Sequence, residues 1–219
     1  MENILNGTFI EPSIILTKKD FGEGHILVTA VTRKHGLIKS FAFGGKRLSK
    51  RFKGGLEYFK VIEAEFQTKD NNGEAIFTIS SIKEIKKIFP NIINNVNKFI
   101  TSCYMLELAS MLLNQLEPCG KSGKSFFEIV EQHIKEIEEI PSNDIGTMVN
   151  IAYELCIILF NETGFTSNMV KINNTKEQLY RMEQLHSSIL NSSPKSFVMM
   201  YELLNNSCSR VNTPEHNRR

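Results

Sequence analysis

The sequence predicts an α+β fold, an N-terminal five-stranded β-barrel followed by an all-α helical domain. Three observations predict it. Up to about residue 82 the apolar residues fall in short β-branched runs broken by glycine-bearing turns, and beyond that point they recur with a period near 3.6. Five strands fit into about 70 residues with no helix-length pattern between most of them, which suits a small closed barrel. The 219 residues, 41% hydrophobic and 23% charged, suffice to bury a core without a metal or a disulfide.

The first strand is read at residues 13–17, and 18–24 (KKDFGEG) as a polar loop. Residues 25–32 (HILVTAVT) lead through the basic turn Arg33-Lys34-His35-Gly36 into 37–43 (LIKSFAF), the pattern of a hairpin. A glycine-bounded basic loop at 44–55 precedes a long alternating strand at 56–68. Asp70-Asn71-Asn72-Gly73 is a tight-turn signal, and 74–82 (EAIFTISSI) supplies the fifth strand.

Pro90 suits the first position of a helix, and Ile92, Val96, Phe99, Ile100, Cys103, Tyr104, Leu108 and Leu112 form one apolar stripe running to about Leu116. Further helices are expected at 125–139, 144–162, 175–190 and 194–205, punctuated by Pro118, Pro141, Gly164 and Pro194. The segment 144–162 is apolar almost all round, which makes it the central buried helix. The expected domains are therefore 1–82 and 83–209. Residues 210–219 carry too little apolar surface to pack and read as a disordered tail.

Several function classes lose support from composition. The longest strongly apolar stretch, 151–160, is interrupted by Glu154 and is about half as long as a bilayer span, so no transmembrane helix is expected. The start Met-Glu-Asn lacks a basic residue and an apolar run, which points to no secretory signal and a cytoplasmic protein. Cys103, Cys119, Cys156 and Cys208 are separated by 16, 37 and 52 positions, so they read as buried hydrophobes or free thiols and no metal site is expected. The five histidines are scattered, Glu107, Glu128, Glu131 and Glu136 fall on expected helix surfaces, and no hydrolase, metalloprotease or dinucleotide motif occurs. No catalytic residue is assigned, and the chain is read as a non-enzyme without a cofactor.

Charge gives the positive signal. The net charge is only +2, yet residues 33–60 hold 9 Lys and Arg against 1 acid. Lys46, Arg47, Lys50, Arg51 and Lys53 lie in the 44–55 loop, whose flanking glycine pairs would let it reshape around a phosphate backbone. Lys39, Phe41 and Phe43 share a face of the preceding strand, with Arg33 and Lys34 at its hairpin turn. Basic groups interleaved with aromatics on a barrel strand are what single-stranded nucleic acid needs, because phosphates take the charge and bases stack. The candidate binding residues are thus Arg33, Lys34, Lys39, Phe41, Lys46, Arg47, Lys50, Arg51 and Lys53. The competing reading places at least one of Phe41 and Phe43 in the barrel core. Residues 118–125 (PCGKSGKS) imitate a phosphate-binding loop, but Pro118 stands where the motif needs glycine, and a helix rather than a strand is expected before it.

The run 21–38 (FGEGHILVTAVTRKHGLI) resembles the signature of the RecO family of recombination mediators, a Gly-Glu loop leading through a strand into a Thr-Arg-x-His-Gly turn. Residues 42–52 (AFGGKRLSKRF) look like its basic loop, Ile88-Phe89-Pro90 and 103–108 (CYMLEL) like its Phe-Pro entry and first helix, and 155–164 like its later helix ending in glycine. The similarity covers 10–116 and is diffuse thereafter. It implies an N-terminal OB-fold, an oligonucleotide-binding barrel, and a helical domain. It further implies binding of single-stranded and double-stranded DNA, annealing of complementary strands, contact with the single-stranded DNA-binding protein, and partnership with RecR to load RecA in DNA repair. Many members carry a four-cysteine zinc site in the helical domain; residues 165–175 contain no cysteine, and zinc is not carried over. The alternative function is a repair scaffold that docks partner proteins and has little DNA affinity.

Overall fold

The computed structural model describes residues 7–47, 50–52, 54–71, 74–165, 172, 174–190 and 193–210. Five strands, β1 (Thr8–Phe21), β2 (His25–Thr32), β3 (Gly36–Ala42), β4 (Lys60–Asn71) and β5 (Glu74–Ile88), close into a barrel in the order β1-β2-β3-β5-β4. All neighbours are antiparallel except β3 and β5, and β4 returns to pair with β1. This is the OB-fold expected from the sequence, an α+β molecule once the helices are added.

Alternation along the strands fills the barrel with Ile15, Val28, Ala30, Ile38, Ile62, Ala64, Phe66, Phe77 and Ile79. The outward positions of one flank are apolar as well. Ile14, Leu16, Val31, Leu37, Phe59 and Val61 belong to the core of the helical domain. Residues 14–16 are therefore a continuous apolar run because that stretch of β1 is buried on both faces.

Two strands are longer than expected. β1 runs on to Phe21, leaving only Gly22–Gly24 as a turn, because Lys18, Lys19, Asp20 and Phe21 all pair with β2. β5 continues to Ile88, six residues beyond 82, since three register shifts against β4 let a bent strand keep its ladder. Conversely β4 starts only at Lys60: Phe59 takes a positive φ of 58° and turns its ring into the helical core. Asn72 and Gly73 of the expected tight turn lie outside the described residues.

The single stripe expected at 92–116 is divided into α1 (Pro90–Ile93) and α2 (Val96–Leu112). Asn94 ends the first, and the Asn95 side chain caps the second by accepting from the Lys98 amide. α3 (Phe126–Glu139) and α4 (Ile145–Thr163) are capped by Ser125 and Asp144. α5 (Thr175–Leu185) passes into a π-helical turn (His186–Leu190), and α6 (Lys195–Arg210) follows. α4 is central, in contact with α2, α3 and α5. Its length and composition alone would let it cross a bilayer, but half of its apolar window is buried inside the protein. Beyond Arg210, which ends α6, the expected tail lies outside the described residues.

The two domains are joined by more than the chain. After α2, Gln115 pairs with Leu37 as an added stub of strand, and the Leu116 amide donates to the Leu37 carbonyl at 3.0 Å. Gly36 makes this possible: its φ is +67°, and a Cβ there would lie 2.0 Å from the Glu117 carbonyl oxygen.

Candidate nucleic-acid interface

The pairing register builds the outer face of β1, β2 and β3 row by row. Thr17, Thr29 and Lys39 form one row, Lys19, Leu27 and Phe41 the next, and Phe21 pairs with His25 at the end where Phe43 leaves β3. Four rings gather there. Phe21 lies 5.0 Å from Phe41, Phe41 stacks on Phe43 at 5.9 Å with 14° between planes, and Phe43 meets His25 edge-on at 5.4 Å. The His25 Nδ1 accepts from the Gly44 amide at 2.8 Å, which fixes the ring and leaves the proton on Nε2.

Neither Phe41 nor Phe43 enters the barrel core, contrary to the expectation for at least one of them. Both point outward with Lys39 because their alternation matches it, while Ile38, Ser40 and Ala42 take the inner face; Phe43 is 46% exposed and Phe41 half-buried. Phe21 is 48% exposed. Such a cluster of accessible rings is an exposed apolar patch of the kind that proteins use for binding.

The basic residues stand around this platform unequally. Lys46, Arg47, Lys50 and Arg51 follow Phe43 at the same end of the barrel, and Lys46 pairs with Asp20 at 2.7 Å. Arg51 is held in place, its guanidinium donating to the Phe43 carbonyl and lying 4.7 Å over the Phe52 ring. Lys39 is exposed midway along β3. Lys53 lies outside the described residues. Arg33 and Lys34 are at the opposite end of the hairpin, about 23 Å away along seven strand residues. Arg33 is turned to the helical domain, 4.9 Å over the Phe127 ring and 3.9 Å from Glu131. The structure therefore gathers Lys39, Phe41, Lys46, Arg47, Lys50 and Arg51, and separates Arg33 and Lys34 from them.

Two of the loop's glycines and two of its apolar residues are tied to the barrel. Phe52 and Leu56 are buried in the barrel core. A Cβ on Gly45 would meet the Ile26 side chain at 2.6 Å and one on Gly55 would meet Ile82 at 2.8 Å, so these glycines serve close packing.

Sequence reasoning missed Phe21, His25 and Lys19 as members of the surface. Reading 18–24 as a loop hid Lys19 and Phe21, and with them the partner that brings His25 of the next strand to Phe43; extending the period of two through Phe21 aligns them with Phe41 and Phe43. Glu107 is likewise not a free surface carboxylate, since it accepts from the amides of Lys195 and Ser196, each at 3.0 Å, and from the Ser196 hydroxyl. Those bonds and the nearby Lys195 charge hold its pKa below the ordinary value against the opposing effect of burial.

The imitation phosphate loop is wrapped around a carboxylate of its own chain. The Ser122 amide and hydroxyl donate to Glu162 at 2.8 and 2.6 Å, and irregular chain after α2 precedes the loop. Cys103, Cys119 and Cys156 are free thiols, and burial pushes Cys103 up to about 11 and Cys156 up to about 12. Among the described residues no three His, Cys, Asp or Glu side chains gather where they could hold a metal ion.

Comparison with known proteins bears on this barrel directly. Residues 8–87 match the family described as Recombination protein O N terminal, a span that contains all five strands but the last residue of β5. Over these residues the chain is similar to the RecO family. It is 22% identical over 152 residues to the DNA repair protein RecO of Gloeobacter violaceus, covering 69% of this chain and 55% of that protein. It is 26% identical over 132 residues to the DNA repair protein RecO of Pelobacter propionicus, covering 59% of this chain and 50% of that one. The matched stretch thus spans about half the length of these RecO proteins.

Proposed function

We propose that this chain is a RecO-family protein that binds single-stranded DNA on the outer face of β1, β2 and β3 and acts in DNA repair as a recombination mediator. In this reading it anneals complementary strands and, with RecR, loads RecA onto DNA covered by the single-stranded DNA-binding protein. It acts in the cytoplasm by binding, without catalysis or a cofactor of its own. The observation that carries the reading is the ring cluster of Phe21, Phe41, Phe43 and His25, bordered by Lys19, Lys39, Lys46, Arg47 and Lys50. Stacked bases gain about 1–3 kcal/mol each on such rings, whatever their identity.

Fluorescence anisotropy with a labelled oligothymidylate at several salt concentrations tests it. If the five cations each meet a phosphate, log affinity falls against log salt with a slope of roughly −3.5, about 0.7 per contact. Phe41→Ala with Phe43→Ala should weaken binding by about tenfold or more with little change in slope, since rings release no counterions. Full affinity in that double variant would refute the platform. The scaffold reading is favoured by one observation, the exposed Val198, Met199 and Tyr201 on α6, and it expects no measurable oligonucleotide affinity in the parent.

A further inference from the structure

The platform does not end at the barrel. Its Thr17, Lys19, Leu27, Thr29 and Lys39 also form one wall of a cavity of about 330 Å³, whose other wall is Glu107, Ser110 and Met111 of α2. A second cavity of about 540 Å³ continues from it, sharing Thr17, Lys19 and Glu107, and reaches Tyr58, Leu106 and, on α6, Lys195 and Met199. Together they make a cleft between barrel and helical domain that opens onto the row of Lys19 and Phe41. Each part is within the size range of sites that enclose small organic groups.

The cleft's charge is one-sided. Lys19 and Lys39 make no salt bridge among the described residues and the Lys195 charge lies near Glu107, whereas Lys18 is paired with Glu57 at 2.6 Å. Glu107 is the one acid in the lining, and its oxygens already face the amides and the hydroxyl at the start of α6. Tyr58 and Leu106, with the exposed Met199 at the rim, supply a mainly apolar wall. The Tyr58 ring is fixed there, its hydroxyl oxygen accepting from the Lys18 amide at 3.1 Å and its face 4.8 Å from the Lys18 ammonium.

We infer that the cleft is the second half of the DNA site: the strand leaves the ring platform and enters between the domains, its phosphates on Lys19, Lys39 and Lys195 and a base against Tyr58 and Met199. The inference rests on the proposed reading of the platform. A nucleic-acid strand fits better than an acidic peptide because the two surfaces are continuous through Lys19 and Lys39, which serve both. The alternation of cationic rim and apolar floor also repeats that of the platform. The helical domain thereby lengthens the binding site beyond what the barrel alone offers.

The experiment uses the full chain and oligothymidylates of about 4 to 16 nucleotides, the range of site sizes found for such barrels. Affinity is measured for the parent, for the platform variant Phe41→Ala with Phe43→Ala, and for a cleft variant, Lys195→Glu with Met199→Glu. Both residues are exposed on α6, and because Lys195→Glu places a second acid near Glu107, the circular dichroism spectrum of the variant is required to match the parent before affinities are compared. The cleft variant should match the parent on the shortest strands and lose the gain in affinity that the parent shows on longer ones. Its salt slope on those should be flatter by about 0.7, the contribution of one phosphate contact. Photocrosslinking with a 5-iodouracil placed at successive positions should label Tyr58 only in the longer strands. Equal affinities of parent and cleft variant at every length, or crosslinks confined to the platform rings, would overturn the inference and leave the platform standing. Cleft substitutions that spare DNA but abolish binding of a polyglutamate peptide would overturn it in favour of an acidic protein partner. A parent that binds no oligonucleotide refutes the proposed function itself, and the inference with it.

Discussion

His186 sits fully buried at the start of the π-helical turn, its Nε2 3.0 Å from the Tyr104 hydroxyl and its ring edge-on to Phe197 at 4.7 Å. Burial pushes its pKa down from 6.5 to about 4, with the Glu107 charge opposing the shift. The unfolded chain takes up a proton near the ordinary value that the folded chain refuses until the pH is far lower. The stability contributed by the neutral ring is therefore complete above about pH 6.5 and is lost as the pH falls toward 4, by roughly 2–3 kcal/mol. Urea denaturation of the parent at about pH 7 and about pH 4.5 should show that loss, and His186→Phe should flatten the profile across the interval even if its stability is lower throughout. An unchanged slope would place the titration elsewhere. None of this was legible in the sequence, where His186 is one of five scattered histidines. By contrast, the rings at 41 and 43 were recognised as a pair sharing a face, and only the question of which face remained.

At the scale of elements, the loop between β3 and β4 combines two tasks that its composition had merged. Lys46, Arg47, Lys50 and Arg51 are exposed, while Phe52 and Leu56 fill the barrel. Reversing Lys46, Arg47 and Lys50 to Glu should lower oligonucleotide affinity about equally for every sequence, because phosphates carry no base code, and the circular dichroism spectrum should not change. Arg51 is left out of that set because it holds the Phe43 carbonyl. Phe52→Ala should instead cost about 3–5 kcal/mol of stability, measurable by chemical denaturation, through the cavity it leaves. The hairpin turn behaves in the same way. The sequence marked it as basic, yet its decisive residue is Gly36, where Gly36→Ala combines a strained φ with a clash against Glu117. A loss of roughly 1–3 kcal/mol is expected there, with early hydrogen exchange at the Leu116 amide. Element lengths were misread where the pattern was interrupted rather than absent: charged residues at 18–20 concealed the end of β1, and bulged pairing concealed the end of β5.

At the scale of the molecule, the barrel and the helical domain are distinct in sequence pattern but share a core. Ile14, Leu16, Val31, Leu37, Phe59 and Val61 would all be uncovered in a fragment ending after β5. Such a fragment should aggregate or bind a hydrophobic dye in solution, and light scattering on a chain truncated after Ile88 checks this; a monomeric, cooperatively folding fragment would show that the shared core is dispensable. The sequence by itself determined the five strands, the order of the helices, the central apolar helix and the basic loop, because periods of two and 3.6, turn residues and caps act over a few neighbouring positions. Only the tertiary structure decided that Phe21 and His25 join Phe41 and Phe43, that Arg33 turns to α3, and that a cleft lined by Lys19, Lys39 and Lys195 runs between the domains. Strand register and domain packing set those relations between residues up to 176 positions apart, a distance over which no local pattern carries information.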